Sequence, residues 1–502
     1  MIRGISDFVS SGERPRLSTQ VNRGVAWAAA SQAIIAVTDL VSYGIVVALL
    51  VPTADIGVAA AAMTFWALLD TAADFGVTSA LIQRDDHTPE RVSTVFWFNV
   101  LISSGLFVFL LAIGPIYGYG IGKPVVAWLL IAYGGKLLLQ NVYAIPFALL
   151  RKELRFDDIA KARIIAHTLE SIARVGYALL GWTVWCWTLA ALTRAFVFGV
   201  IIQIRHPFVP KRVFQPREVL PYIRFGMRSA ASQILFRLYV SVDVSIALAQ
   251  FGDSAAGVYA LAVYIVLEPV KTISNVVIDV AFPTFAQLRN DREGLATQLI
   301  QFTRLNLLAV LPFLCLIWLV IPEGLRIFVT GQDWTPDKLA VCASATRILC
   351  IVGTLRALGY LGPPLLDGVG RPEKTLRYMI AATIAVPGSF LLGSWLLGDK
   401  LGVVSIAISW AIGYPIAFAA LAYLVVDTID LPLRPYLRAS WGIIACCAAG
   451  FAAGFALSVV LRNASDLVRM LSIGATCLTV TFLLVGYWQK ITPRSIGRAL
   501  KG

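Results

Sequence analysis

Acidic and basic side chains recur at helical spacing inside long apolar runs of this chain. Tyr264, Glu268, Lys271, Asn275 and Asp279 follow one another at steps of four, three, four and four residues. At about 100° per residue they form one stripe along a helix. His167, Glu170 and Arg174 repeat the pattern, as do Trp66, Asp70, Asp74 and Thr78, while Gln32, Asp39 and Tyr43 share a face of the first apolar run. Seven cations (Lys136, Arg174, Arg194, Arg237, Lys271, Arg347 and Arg356) and seven acids (Asp39, Asp70, Asp74, Glu170, Asp243, Glu268 and Asp279) lie in such runs. The cations suit a phosphate or another anionic head group, because guanidinium and ammonium groups donate several charge-assisted hydrogen bonds at once. The acids suit a proton or a metal cation.

The chain around them has 502 residues, 58% hydrophobic and only 14% charged, with a mean hydropathy of +0.77. A soluble globular chain carries about 25% charged residues. An ordinary soluble enzyme, a disordered chain and a nucleic-acid-binding domain are therefore excluded. A membrane span needs about 20 apolar residues. Fourteen candidate spans fit, at about 24–51, 57–83, 92–116, 124–150, 159–181, 184–204, 222–251, 255–285, 295–321, 338–365, 376–397, 401–426, 437–461 and 466–488. The closest approach of two spans is at Trp182 to Cys186. A charge at the bilayer centre costs roughly 2.5–3.5 kcal/mol, so fourteen facing lipid would cost on the order of 40 kcal/mol, beyond the stability of any fold. These groups must meet one another or a wet cavity. Two readings stay open. In one the charges line a transport path. In the other they are structural ion pairs, for which Glu268–Lys271 and Glu170–Arg174 are suitably spaced. By count, the first six spans are expected to be net acidic inside and the next six net basic.

The net charge of +13 has its explanation in the loops. Twenty-nine of the 42 Lys and Arg residues fall in the tails and loops of one side and six in those of the other. Cytoplasmic loops attract Lys and Arg, so both termini are expected in the cytoplasm and no nucleic-acid partner is implied. No cleavable leader is expected, because the first apolar run from Gly24 is too long for one.

Two stretches about 200 residues apart resemble each other. Ala29-Ala30-Ser31-Gln32 followed by Asp55-Ile56-Gly57-Val58 parallels Ala230-Ala231-Ser232-Gln233 followed by Ala255-Ala256-Gly257-Val258. Six spans preserve sidedness, so the halves are expected to be parallel repeats, an arrangement that puts a transport site near mid-membrane between them. The expected organisation is an N-tail (1–23), an N-lobe of six spans (24–204), a basic linker (205–221), a C-lobe of six spans (222–426), two extra spans (437–488) and a C-tail (489–502). Arg347 and Arg356 are nine residues apart and point to opposite sides of one span. The seven cysteines all lie in apolar runs and form no CxxC pair, so they are read as packing residues. There is no HExxH pair, no GxxxxGK[ST] loop and no GxSxG elbow, so no metal, cofactor or enzymatic activity is expected.

The stretch from Asp74-Phe75-Gly76-Val77-Thr78 to Gln83-Arg84, followed by Ser93-Thr94-Val95-Phe96-Trp97-Phe98-Asn99, resembles Wzx-type oligosaccharide flippases of the colanic-acid and xanthan exporter branch. So do Leu149 to Phe156, Phe251-Gly252-Asp253 to Tyr259, Phe282 to Ala286 and Gly368-Val369-Gly370-Arg371-Pro372. The resemblance runs from about residue 20 to 430. It implies membership of the MOP superfamily, which also holds drug exporters and the lipid II flippase: two six-helix lobes working by alternating access. The implied function is to flip undecaprenyl-diphosphate-linked oligosaccharide repeat units from the cytoplasmic to the periplasmic leaflet of the bacterial inner membrane, for exopolysaccharide or lipopolysaccharide assembly. A polysaccharide polymerase and export machinery are the further implied partners. The family's head-group role for cavity cations is carried to Lys271, Arg237, Arg174 and one of Arg347 and Arg356. Asp39, Asp70, Asp74, Asp243 and Glu268 are the expected cavity or coupling acids, with H⁺ or Na⁺ as the ion. The alternatives are an ion-coupled drug or solute exporter of the same fold, or a membrane polysaccharide polymerase or transferase. The many cavity cations argue against the first, and the short outside loops against the second.

Overall fold

The computed structural model of the chain describes residues 31–32, 34–74, 88–153 and 155–488, with the side chains of 71–74, 156 and 216–233 outside that description. Among the described residues there are helices and no strands. In chain order they are α1 (Ile34–Leu50, its last turn a π-helix from Val46), α2 (Thr53–Asp74), α3 (Pro89–Gly120), α4 (Pro124–Lys152), α5 (Phe156–Leu179) and α6 (Cys186–Arg205). There follow α7 (Pro216–Phe251), α8 (Asp253–Gln287), α9 (Arg292–Phe328), α10 (Pro336–Gly359), α11 (Gly362–Gly368), α12 (Pro372–Leu401), α13 (Val404–Ile429), α14 (Leu433–Val460) and α15 (Asp466–Trp488). Twelve of the described segments are long and apolar enough to cross a membrane, with α10 and α11 counted together. α1 is apolar but shorter, and α5 carries Asp157, Asp158, Lys161, Arg163, Glu170 and Arg174. The chain is an all-α, multi-pass membrane protein.

Helix limits differ from the hydropathy pattern for local reasons. The expected span 338–365 is broken at Tyr360–Leu361, because Pro363 and Pro364 have no N–H to continue the ladder and instead start α11. α7 begins at Pro216, inside the segment expected as linker, since a first-turn proline has no donor to lose. α9 runs for 37 residues, past the apolar stretch at both ends. Its start is capped by Asp291, whose carboxylate accepts the Gly294 N–H at 2.9 Å. Thr88 and Thr335, each before a proline, cap α3 and α10 in the same way. Pro146, Pro283, Pro312, Pro387 and Pro415 lie within helices rather than at their ends. The turn at Gly181 (φ 82°) separates α5 from α6, where the two apolar runs nearly fuse.

The chain forms two compact units, one of residues 1–51 and 61–234, the other of residues 52–60 and 235–502. In the first, the segment after α6 docks on the start of α3: Trp97 Nε1 donates to the Lys211 carbonyl at 2.8 Å, and Lys211 Nζ meets Glu90 at 2.6 Å. In the second, α14 and α15 pack on α9 through Leu307, Leu308 and Leu311 against Ile443, Cys446 and Cys447, and through Leu319 against Ile473 and Cys477. Arg469 pairs with buried Glu323 at 2.8 Å.

The second unit also holds the first turns of α2. Thr53 is fully buried, and its N–H donates to Asp333 at 2.7 Å. Its hydroxyl also donates to Asp333 and accepts from Ser254 at 2.7 Å and Lys338 Nζ at 2.9 Å. Burial pushes the Asp333 carboxyl up, but the hydrogen bonds from Lys338 and Thr53 outweigh it and hold the group below the usual carboxylate range. A depressed carboxyl stabilises the fold above its unfolded value, about 3.9, and the contribution fades as pH falls through the lower folded value. The side chain is 43% exposed, so solvent screening limits its worth to about 1 kcal/mol. Asp333→Asn is therefore expected to lower the melting temperature of the purified protein at pH 7, with the gap to wild type narrowing below about pH 4. A gap that is constant across that range would exclude the charged form as the stabilising species.

Candidate functional site

In the first unit, the charged stripes of α1 and α5 face each other. Arg174 Nη1 lies 2.7 Å from Asp39 and donates to the Ser42 hydroxyl at 3.1 Å, while its Nη2 lies 3.9 Å from Glu170. Glu170 is buried and takes two more partners: Arg194 of α6 at 3.2 Å and His167 Nδ1 at 3.3 Å. On α4, buried Lys136 sits 4.5 Å above the Trp66 ring and 3.9 Å from Asp70, which also accepts from Gln140 at 2.6 Å. Trp66 stacks on Tyr133 with ring centroids 5.1 Å apart.

Asp39, Trp66, Lys136, His167, Glu170, Arg174 and Arg194 line a cavity of about 230 Å³ together with Tyr133 and Trp187. The Trp187 indole N–H is buried without a hydrogen-bond partner. The lining cations Lys136, Arg174 and Arg194 stand against Asp39 and Glu170, with Asp70 beside Lys136. Asp74, the fourth acid expected here, has its side chain outside the described residues. A site of this volume is smaller than a drug-sized pocket of about 300–1,000 Å³; it suits one polar moiety of a larger ligand.

The second unit separates its charges. Asp243 of α7 is 1% exposed and accepts from Tyr259 at 2.8 Å, Trp410 Nε1 at 2.9 Å and the Val244 N–H at 2.9 Å. It ties α7, α8 and α13 together. Next to it, buried Arg356 lies 5.0 Å from the Trp410 ring, 6.0 Å from that of Tyr414 and 5.6 Å from that of Tyr360, donating to the Tyr360 hydroxyl at 3.1 Å. Its Nη1 has no hydrogen-bond partner. This guanidinium is held by ring quadrupoles rather than by a carboxylate. Arg347 points elsewhere, onto the Trp318 ring of α9 at 4.6 Å and the Trp318 carbonyl at 3.2 Å.

The stripe of α8 stays accessible. Glu268, Asn275 and Asp279 are exposed, whereas Val266, Val270, Ser274 and Val277 are buried on the other side. Lys271 and Glu268 form an ion pair at 2.5 Å, with side chains 29% and 49% exposed. Arg237 is exposed on α7 and forms no ion pair among the described residues. The structure thus joins Arg174 and Asp39 with Glu170, pairs Asp70 with Lys136 and Lys271 with Glu268, sets Asp243 and Arg356 against the same Trp410 ring, and places Arg347 and Arg237 apart from them.

Lys136, Glu170 and Arg194 are central to the first cavity although sequence reasoning gave them no substrate role. Their position inside apolar runs was the available signal. The rings around Arg356 were also missed; Arg356 with Tyr360 and Trp410 with Tyr414 are each four residues apart, which puts each pair on one helix face.

The chain is similar to curated proteins along most of its length. It is 27% identical to the teichuronic acid biosynthesis protein TuaB of Bacillus subtilis over 434 residues, 82% of this chain and 84% of that protein. It is 22% identical to the lipopolysaccharide biosynthesis protein WzxC of Escherichia coli over 454 residues, 88% of each. Its fold is similar to that of the lipid II flippase MurJ in an inward closed conformation, with a TM-score of 0.71 and 13% identity, covering 93% of this chain and 98% of that one. The profile of the family described as Polysaccharide biosynthesis protein matches residues 46–338, more than half of the sequence. On that match the chain belongs to the Polysaccharide biosynthesis protein family.

Proposed function

We propose that this protein flips undecaprenyl-diphosphate-linked oligosaccharide repeat units from the cytoplasmic to the periplasmic leaflet of the inner membrane, by ion-coupled alternating access, with both termini in the cytoplasm. It is a carrier rather than an enzyme. The observation that carries the reading is the aromatic-lined cavity of the first unit, where Arg174, Arg194 and Lys136 converge. Guanidinium groups chelate phosphate oxygens, while a lipid tail can stay in the bilayer. The names of TuaB and WzxC support an envelope polysaccharide as the product, and that of MurJ a lipid-linked cargo. Moving two negative charges outward across an inside-negative potential is favourable by about 2.3 kcal/mol per charge per 100 mV. Asp39, paired with Arg174 but 40% exposed, is the group suited to exchange H⁺ or Na⁺ as the carrier resets.

Lys271 supplies the test. Neither member of the Lys271–Glu268 pair is buried inside the protein, so removing one strands no charge in the packed core. Lys271→Ala is expected to leave membrane abundance near wild type and to cut polymer export about tenfold, with lipid-linked repeat units accumulating on the cytoplasmic side; Lys271→Arg keeps part of the activity. The double variant Lys271→Ala with Glu268→Ala should remain defective. Wild-type export by the double variant would remove Lys271 from the substrate path, and normal export in the absence of the whole protein would remove the flippase reading.

A further inference from the structure

A second cavity of the first unit, about 250 Å³, lies between α4, α5 and α6. Its walls are Tyr143, Phe147 and Phe198, and its polar lining is Arg163, His167 and Arg194. No carboxylate among the described residues lines it. Phe198 meets Tyr143 edge-on at 5.0 Å and Phe147 at 5.8 Å, which fixes the walls. Arg163 lies 5.7 Å from the Phe147 ring and Arg151 5.8 Å from it. Neither arginine has an ion pair or side-chain hydrogen bond among the described residues.

The acids at this end of the unit are already engaged. Asp157 pairs with Lys161 at 3.7 Å, and Asp158 with Arg155 at 2.7 Å and Arg205 at 3.7 Å. Glu153 pairs with His206 at 3.2 Å. Glu170 is reached by Arg194 and His167 from the neighbouring cavity. A part-buried guanidinium with no counter-charge is a costly arrangement that an incoming anion relieves. The ring of Phe147 holds Arg163 in place beforehand, which lowers the ordering cost of binding.

Two features select the anion. The outer faces of the same helices carry Val142, Ile165, Phe196 and Val200, all exposed and apolar, so the cavity borders the lipid-facing surface. The cavity also shares His167 and Arg194 with the cavity of Asp39 and Arg174, and lies nearer the basic helix ends at Arg151, Lys152 and Arg205. A phosphate borne on a lipid fits both features. We infer that this pocket is the first station for the diphosphate of the lipid-linked substrate, which Arg163 and Arg194 hold before Arg194 passes it to Arg174. The inference rests on the flippase reading. The shared Arg194 matters because the diphosphate then never loses all its donors between the two cavities.

The test uses the purified full chain in phosphatidylcholine nanodiscs, with labelled undecaprenyl diphosphate and labelled phosphatidic acid as probes. Arg163→Gln is expected to weaken binding of undecaprenyl diphosphate about tenfold and of phosphatidic acid less than about twofold, whereas Arg163→Lys stays within about threefold of wild type. Phe147→Leu, which keeps every charge, should weaken undecaprenyl diphosphate about threefold by releasing Arg163, and carries the test if Arg163→Gln does not accumulate. Unchanged undecaprenyl diphosphate binding by Arg163→Gln and Phe147→Leu overturns the inference. So does a loss confined to phosphatidic acid, which would make the pocket a phospholipid site. Failure of the wild-type protein to bind undecaprenyl diphosphate at all would instead defeat the flippase reading, and this inference with it.

Discussion

Glu170→Ala is expected to remove most of the protein from the membrane and to abolish polymer export. Among the described residues Glu170 is the buried anion shared by Arg174, Arg194 and His167. Without it Arg194 loses its one ion pair among the described residues and Arg174 keeps its ion pair with Asp39, in a cavity that already contains Lys136. Removing one partner of a buried ion pair costs about 3–5 kcal/mol, because the remaining charge stays buried without compensation. Glu170→Asp keeps the charge with a shorter reach and should restore part of the abundance. Pairing Glu170→Gln with Arg174→Gln lowers the cationic excess by one and should recover abundance better than Glu170→Gln alone. Export should stay low, since a phosphate donor has gone. Immunoblots of membranes and surface-polymer assays read the two effects separately. Wild-type abundance for Glu170→Ala would show that the cluster is open to water in the resting state and that its charges need no mutual neutralisation.

The second large effect is expected at two glycines. Gly57 and Gly257 are the repeat-related positions of α2 and α8, and both belong to the second unit. A Cβ at Gly257 would lie 1.8 Å from the Thr53 carbonyl oxygen, and one at Gly57 would lie 2.1 Å from the Asp253 carbonyl oxygen. These obstacles are backbone, so the two helix starts must separate before either Cβ fits. Separation also pulls Thr53 away from Ser254. Gly57→Ala and Gly257→Ala should each lower the melting temperature of the purified protein by an amount matching about 2–3 kcal/mol, the upper range for overpacking. The double variant should cost clearly less than the sum, because room made for one Cβ admits the other; a coupling of about 1 kcal/mol or more is expected. Strict additivity would show that the two positions do not share this contact.

Much of the architecture was legible in the chain's pattern. Apolar runs marked the spans because a membrane helix has no other way to satisfy its backbone. Steps of three and four residues were enough to put Glu268 with Lys271, and Glu170 with Arg174, on common helix faces. The matched Gly57 and Gly257 segments, read as a repeat from spacing, meet in the fold at a backbone contact that only glycine allows. The helix ends were less legible. Hydropathy measures where lipid suits a side chain, whereas a helix continues through polar residues until a proline or a glycine stops it.

Pairing between distant segments was not legible at all. Nothing in the sequence says that Arg174 would meet Asp39, 135 positions earlier, or that Arg356 would meet the Trp410 and Tyr414 rings of α13 while Arg347 turned to Trp318. Nor does it say that Asp243, read as a candidate coupling acid, would be held by Tyr259 and Trp410. Those partners depend on the depth and rotation of each helix against its neighbours, which packing between remote segments decides. The chain's own pattern settles that it is a many-helix membrane protein with charges to conceal. Tertiary packing decides which charges neutralise one another and which, like Arg163, have no ion pair among the described residues. The physical reason is range: helical periodicity acts over a few residues, whereas a salt bridge needs two side chains within about 4 Å, whatever their separation along the chain.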